Sequence, residues 1–339
     1  MEWLGDYTLF MAKAATVLVV VFLIVALLAS VKERQRANDG TLQVHRLNDR
    51  LANMTETLGA EVLDKQAFKA MQKARKLQEK NRAKGGNEAP RVFVLTFHGD
   101  IKAGALEHLR HEVTAVLELA RPSDEVVVRL ESAGGMVHAY GLAASQLVRV
   151  RDAGIPLTIC IDKVAASGGY MMACIGNRIM AAPFAMLGSI GVVAQLPNFN
   201  RLLKKHDIDY EMLTAGEYKR TLTLFGENTE QGRDKFKQDL ETIHRLFKRF
   251  VSDYRPALDI DQVATGEVWF GADALEQKLA DELKTSDQYL TERVRQADVF
   301  ELRYVQRKKL QDKLAGGSAS VIDRVLLAWA SRFHNQRFW

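Results

Sequence analysis

The sequence has few of the residues that organise a metal or disulfide site. It holds two cysteines, Cys160 and Cys174, in 339 residues. They form no CxxC pair and no Cys/His cluster, which excludes a disulfide framework and argues against a metal site. Both lie in apolar strings, the first in a predicted strand and the second in a predicted helix. They read as buried free thiols and hint at a reducing compartment. The eight histidines are scattered. His98, His138, His206 and His244 lie in no supporting pattern, and no Asp/His pairing offers a triad. No clean Ala-x-Ala follows the N-terminal apolar stretch, which argues against a cleaved signal peptide. The net charge is only +5, and the basic stretch within it carries no nucleic-acid recognition motif. No metal, no cofactor and no nucleic-acid partner are expected.

Residues 14–31, AATVLVVVFLIVALLASV, are uncharged and almost wholly apolar. Residues 9–12 extend them across Lys13, which can snorkel to the interface. A span needs roughly 20 apolar residues, so residues 1–31 are expected to be an uncleaved anchor in the lipid bilayer. Lys32, Arg34 and Arg36 follow this run, and Glu2 and Asp6 precede it. The positive-inside rule then places the bulk of the chain in the cytoplasm. A second apolar stretch at 179–197 contains Pro183, Gly188, Ser189 and Gly191. It reads as two short buried strands joined by a turn rather than a second span.

Residues 32–90 are polar and helix-prone. Within them, Lys65–Lys84 holds eight Lys/Arg and the single acid Glu79. This reads as a solvated helical stalk, with a membrane-surface contact as the alternative. Gly85, Gly86, Asn87 and Pro90 mark a linker. From Arg91 the texture changes to short β-branched runs alternating with helical patterns. Strands are expected at 91–97, 125–130, 156–161 and 299–305, and helices at 105–119, 137–152 and 229–254. That alternation predicts an α/β domain over 91–305 with mostly parallel strands. In the last segment, 306–339, Val321, Val325, Trp329 and Phe333 share one helical face suited to core or subunit contact.

The segment Ala166-Ser167-Gly168-Gly169-Tyr170 places a serine between a predicted strand and a predicted helix. Ser167 is either the N-cap of a tight turn or a nucleophile. Lys219, in Gly216-Glu217-Tyr218-Lys219, is either a solvated surface group or a base that desolvation brings toward neutrality. Ser132-Ala133-Gly134-Gly135-Met136 also ends a strand and opens a helix. Its amides either make an ordinary turn or form an oxyanion hole.

LESAGG, KVAASGGYMMA, LGSIGVV, AGEYKRTLT and GEVWFGADALEQKLADEL stand in this order along the chain. Together they resemble the motifs of the signal peptide peptidase A family, strongly from Arg91 to Leu283. The anchor, charged stalk and single catalytic domain resemble one branch of it. The resemblance implies a ClpP/crotonase-like fold of repeated ββα units. It implies a serine–lysine endopeptidase acting on membrane-derived peptides or membrane-associated proteins. Ser167 matches the nucleophile, Lys219 the general base, and Ser189 the serine that orients the lysine. Gly134 or Gly135, with Gly168, matches the oxyanion hole. Residues 266–283 match a helical motif that supports the site. Where the family commonly has proline, this chain has Ala133, which leaves the oxyanion turn less rigid. The resemblance further implies a homo-oligomer at the periplasmic face of a bacterial inner membrane, opposite to the side that the flanking charges favour. Two other readings remain open: a crotonase-type acyl-CoA enzyme, and a catalytically idle membrane scaffold.

Overall fold

Runs such as EVVVRLES, with β-branched side chains at consecutive positions, suit strands covered on both faces, and such strands organise the molecule. The computed structural model describes residues 40–84 and 90–306. The expected span at 14–31, the linker residues Gly85, Gly86 and Asn87, and the expected helix at 321–333 lie outside the described residues. Among the described residues no helix is long and apolar enough to cross a membrane.

In chain order the elements begin with β1 (Thr41–Arg46), α1 (Leu47–Val62), α2 (Lys65–Lys84), β2 (Arg91–Gly99), α3 (Leu106–Leu117), β3 (Glu125–Ser132) and α4 (Val137–Asp152). Then come β4 (Leu157–Ile161), β5 (Val164–Ala166), α5 (Gly168–Ala173), β6 (Arg178–Ala181), β7 (Met186–Gly188), α6 (Asn200–Lys205) and α7 (Glu230–Tyr254). The described chain closes with α8 (Ile260–Val263), β8 (Val268–Phe270), α9 (Gly271–Glu276), β9 (Glu282–Leu283), α10 (Ser286–Gln296) and β10 (Asp298–Val305). Residues 44–303 form one unit. The described residues of the other are 40–43 and 304–306, where the Gly40 N–H donates to the Tyr304 hydroxyl at 3.0 Å.

The sheet runs β10-β2-β3-β4-β6-β9, and each of these pairs is parallel. β5 branches off the end of β3 and continues into β7, again in parallel, while β8 closes against β7 antiparallel. Alternate side chains of each strand face opposite sides. Phe93, Leu95, Phe97, Val126, Val128 and Leu130 enter the larger core with α3, α4 and α5. Val92, Val94, Val127, Cys160 and Met180 enter the smaller one against Tyr289 and Leu290 of α10. On α4, Tyr140, Ala143, Ala144, Leu147 and Val150 are buried at helical spacing. The structure is thus a mixed α/β sheet covered by helices.

The expected strands and helices of the 91–305 region recur within a few residues, and 137–152 recurs as α4. The 179–197 stretch yields β6 and β7, but Val193 and Leu196 beyond them are exposed. The stalk region departs from the helical expectation at β1, where Thr41, Val44 and their neighbours are extended and exposed. α1 and α2 follow as helices. Cys160 and Cys174 are free and buried. Burial pushes the Cys160 thiol up to about 12 and the Cys174 thiol higher still, so both stay protonated and unreactive.

Candidate active site

In a parallel sheet the loops at the carboxyl ends of the strands gather on one edge, the usual place for a site. Here β3, β5 and β7 end side by side. Ser132 pairs with Ala165, and Ala166 pairs with Gly188. The residues that follow these ends are Gly134 and Gly135, Ser167 and Gly168, and Ser189. The parallel register therefore brings together five of the six expected site residues.

Ser167 occupies a sharp strand-to-helix turn at φ 52° and ψ −119°, a region that costs a non-glycine residue about 1–3 kcal/mol. The surrounding backbone holds it there. The Ser167 N–H donates to the Gly188 carbonyl at 2.8 Å, and the Ser167 carbonyl accepts from the Met171 N–H at 2.9 Å. Such a turn lifts a hydroxyl clear of the sheet, as in nucleophile elbows. The side chain is half-buried, and its hydroxyl has no hydrogen-bond partner among the described residues. Ser189 also has positive φ, at 49°. Its N–H donates to the Glu267 carbonyl at 2.6 Å, which ties it to the segment entering β8.

Gly134 must be glycine. Its φ is +90°, and a Cβ there would stand 2.8 Å from both the Gly168 nitrogen and Ser167 Cβ. The Gly134 N–H donates to Ser132 Oγ at 3.1 Å. The Met136 N–H donates to the Ile101 carbonyl at 2.9 Å. The N–H groups of Gly135 and Gly168 find no acceptor among the described residues. Of the two oxyanion candidates in this turn, Gly135 is therefore the one with a free donor.

Gly135, Ser167 and Gly168 line a cavity of about 240 Å³ whose other walls are apolar. Met171 of α5 forms one wall, and Ile243, Phe247 and Phe250 of α7 form another. α7 starts at Thr229, whose side chain caps the Gly232 N–H at 3.1 Å. It is fastened to the site by His244, whose Nε2 bonds the Ile190 carbonyl at 3.1 Å. Sequence reasoning missed His244, because a lone histidine on a polar helix carries no pattern. It also missed the α7 wall, although the apolar spacing 243, 246, 247, 250 was readable as an apolar stripe.

Lys219 is not among the residues that line this cavity. It is exposed, and its ammonium has no partner among the described residues. It ends a turn closed by its own N–H to the Gly216 carbonyl at 3.2 Å. This turn leans on the start of α7. Gln231 Nε2 donates to Glu217 at 3.3 Å, and Lys235 Nζ sits 5.6 Å from the Tyr218 ring centre. From Lys235 to Ile243, the first α7 residue on the cavity, is eight residues, or about 12 Å of helix.

This geometry, a strained serine lining one cavity with Gly135 and Gly168 at the carboxyl edge of a parallel sheet, suits a protein that hydrolyses acyl bonds. Residues 2–147 match the peptidase family S49 N-terminal region, and residues 149–299 match peptidase family S49. The chain is 46% identical over 322 residues to the probable protease SohB of Haemophilus influenzae, across 91% of each chain. It is 43% identical over 327 residues to a probable protease SohB of Buchnera aphidicola, across 96% of this chain and 97% of that one. Similarity to protease 4 of Haemophilus influenzae is lower, 28% over 160 residues, spanning 47% of this chain and 26% of that one. The chain belongs to peptidase family S49, and it is a protease. The branch expected from the anchor, charged stalk and single catalytic domain is that of the SohB proteases.

Proposed function

We propose that this protein is a serine endopeptidase in which Ser167 is the nucleophile and Lys219 the general base. The observation that carries this reading is the Ser167 turn, strained and aimed into the same cavity as the free N–H groups of Gly135 and Gly168. Lys219 takes the proton of the Ser167 hydroxyl as Oγ attacks the peptide carbonyl carbon. The Gly135 and Gly168 amides hold the resulting oxyanion, each donor worth about 2.7–4 kcal/mol at such a site. The proton passes to the leaving amine, the C–N bond breaks, and an acyl-enzyme remains. Water, deprotonated by the same lysine, releases the acid. Ser189 stands beside Ser167 at the end of β7, where its hydroxyl can orient the lysine.

The base reaches the nucleophile in an assembly of copies. The segment carrying it leaves Val193, Leu202, Ile208, Leu213 and Tyr218 exposed, Leu213 at 94%. A lone molecule gains nothing from such exposure, and a second copy can cover it. Docking against a neighbouring copy also spares the Lys219 turn from detaching from α7. The fold is accordingly read as ClpP/crotonase-like, a type suited to rings. The anchor at 1–31 holds the assembly to a bacterial inner membrane. The substrates are membrane-derived peptides or membrane-associated proteins, and the apolar walls at Met171 and Phe247 favour an apolar side chain beside the scissile bond.

A fluorophosphonate probe followed by peptide mapping tests the nucleophile. Labelling at Ser167, lost in Ser167→Ala together with cleavage of an unfolded protein substrate, is the expected result. Labelling elsewhere, or cleavage that survives Ser167→Ala, would sink the assignment.

A further inference from the structure

A buried, hydrogen-bonded polar cluster lies beside the site. Ser132 and Tyr140 are 1% and 0% exposed. The Tyr140 hydroxyl donates to the Asp100 carbonyl at 2.7 Å. A phenol has one hydrogen, so at the 2.6 Å contact between the two hydroxyls Ser132 is the donor. Ser132 Oγ then has its lone pairs free, and one accepts the Gly134 N–H at 3.1 Å. The chain runs in one direction, from the Gly134 amide through Ser132 and Tyr140 to the Asp100 carbonyl. Burial raises the Tyr140 pKa, so the phenol keeps its hydrogen across the working pH range.

The same two side chains bear on the second oxyanion donor. A Cβ on Gly168 would stand 2.4 Å from the Tyr140 ring, so that ring is the floor on which the nucleophile turn rests. A Cβ on Gly99 would come within 2.5 Å of both the Tyr140 hydroxyl and Ser132 Oγ. The backbone has been cleared around this pair. We propose that Ser132 and Tyr140 are positioning residues, which capture the Gly134 N–H so that the next amide, Gly135, turns its N–H toward the oxyanion. Ala133 fits this role. A turn without proline needs another restraint, and Ser132, the residue just before it, supplies one through its side chain. The proposal rests on the serine-peptidase reading above.

The test uses the full-length protein in detergent, with Tyr140→Phe, Ser132→Ala and the double variant. Tyr140→Phe keeps the ring under Gly168 and removes only the hydroxyl. Each single variant is expected to lower kcat about 10- to 100-fold, somewhat short of outright loss of a donor, while KM stays within twofold. Affinity for a peptide aldehyde, whose adduct on Ser167 carries an oxyanion, falls by the same factor as kcat/KM. The double variant loses no more than the worse single variant, because both break one chain. Unchanged kcat, a loss carried by KM, or full additivity would overturn the proposal. Ser167→Ala, assayed alongside, separates the two levels. Turnover surviving there removes Ser167 as the nucleophile, whereas its loss beside an undiminished Tyr140→Phe removes only the positioning role.

Discussion

Ser167 stands on a turn that its neighbours hold on every side, while Lys219 stands on a turn that leans on the beginning of α7. The serine turn is fixed by strand register, by the Gly188 carbonyl and by the Tyr140 ring beneath Gly168. Its strain is sustained because the buried strands around it leave the backbone no alternative. The lysine turn lies in a segment folded mainly on itself. Tyr210 and Phe199 pack on Phe225 at 5.8 and 6.1 Å, and Asn198 and Asn200 bond carbonyls of the 223–226 loop. The proposed nucleophile is preorganised within the chain. The proposed base is presented outward, with apolar neighbours such as Leu213 and Tyr218 exposed.

Replacing Lys219 by alanine exposes this asymmetry with the largest effect. Turnover should fall at least about 10⁴-fold, as loss of a base in a serine peptidase does. The melting temperature should not move, because the side chain is exposed and unpaired. A destabilised Lys219→Ala would mean that the lysine turn is part of the packed fold after all.

Leu213→Asp attacks the outward face without touching Ser167 or Lys219. Stability of the single chain should change by no more than about 0.5 kcal/mol, as for most exposed positions. Assembly size by light scattering and turnover should drop together. Full assembly and activity in this variant would show that the exposed segment has another purpose.

Asp124→Asn probes the packed half alone. Asp124 is fully buried and accepts hydrogen bonds from Arg91 and from the Arg121 N–H. Burial opposes its charge, but the Arg91 and Arg121 hydrogen bonds outweigh burial and hold the carboxyl below its usual 3.8. A lowered folded-state pKa adds stability above the unfolded value, and that stability is lost as pH falls through the folded value. The variant should lose about 3 kcal/mol at neutral pH and lose part of its acid-induced destabilisation. Turnover per folded molecule should hold. A neutral-pH stability equal to that of the parent would remove this pair from the account of the core.

The α/β class was legible because β-branched runs and helical periods alternate from Arg91 onward. Ser167, Gly168, Gly134 and Gly135 were legible as glycine-bearing strand-to-helix junctions, and parallel pairing then gathers such junctions at one edge. Ser189 was placed by motif resemblance alone, since β7 has only three residues and no periodicity. β8, β9 and α6 were not seen, each being too short to carry a pattern against its background. Tyr140 looked like any buried aromatic on a helix, and only the structure shows its hydroxyl reaching Ser132. The position of Lys219 relative to Ser167 was beyond reach, because the 216–219 turn carries no strand or helix period that would tie it to the sheet edge.

The central claim, that assembly brings the base of one copy to the nucleophile of another, is tested most directly by mixing two inactive proteins. Ser167→Ala and Lys219→Ala, each with its own tag, are unfolded, combined and refolded together, and doubly tagged assemblies are isolated. The account predicts that these assemblies cleave substrate, because some sites pair an intact Ser167 with an intact Lys219 from a neighbour. Doubly tagged assemblies of native size with no cleavage would contradict it.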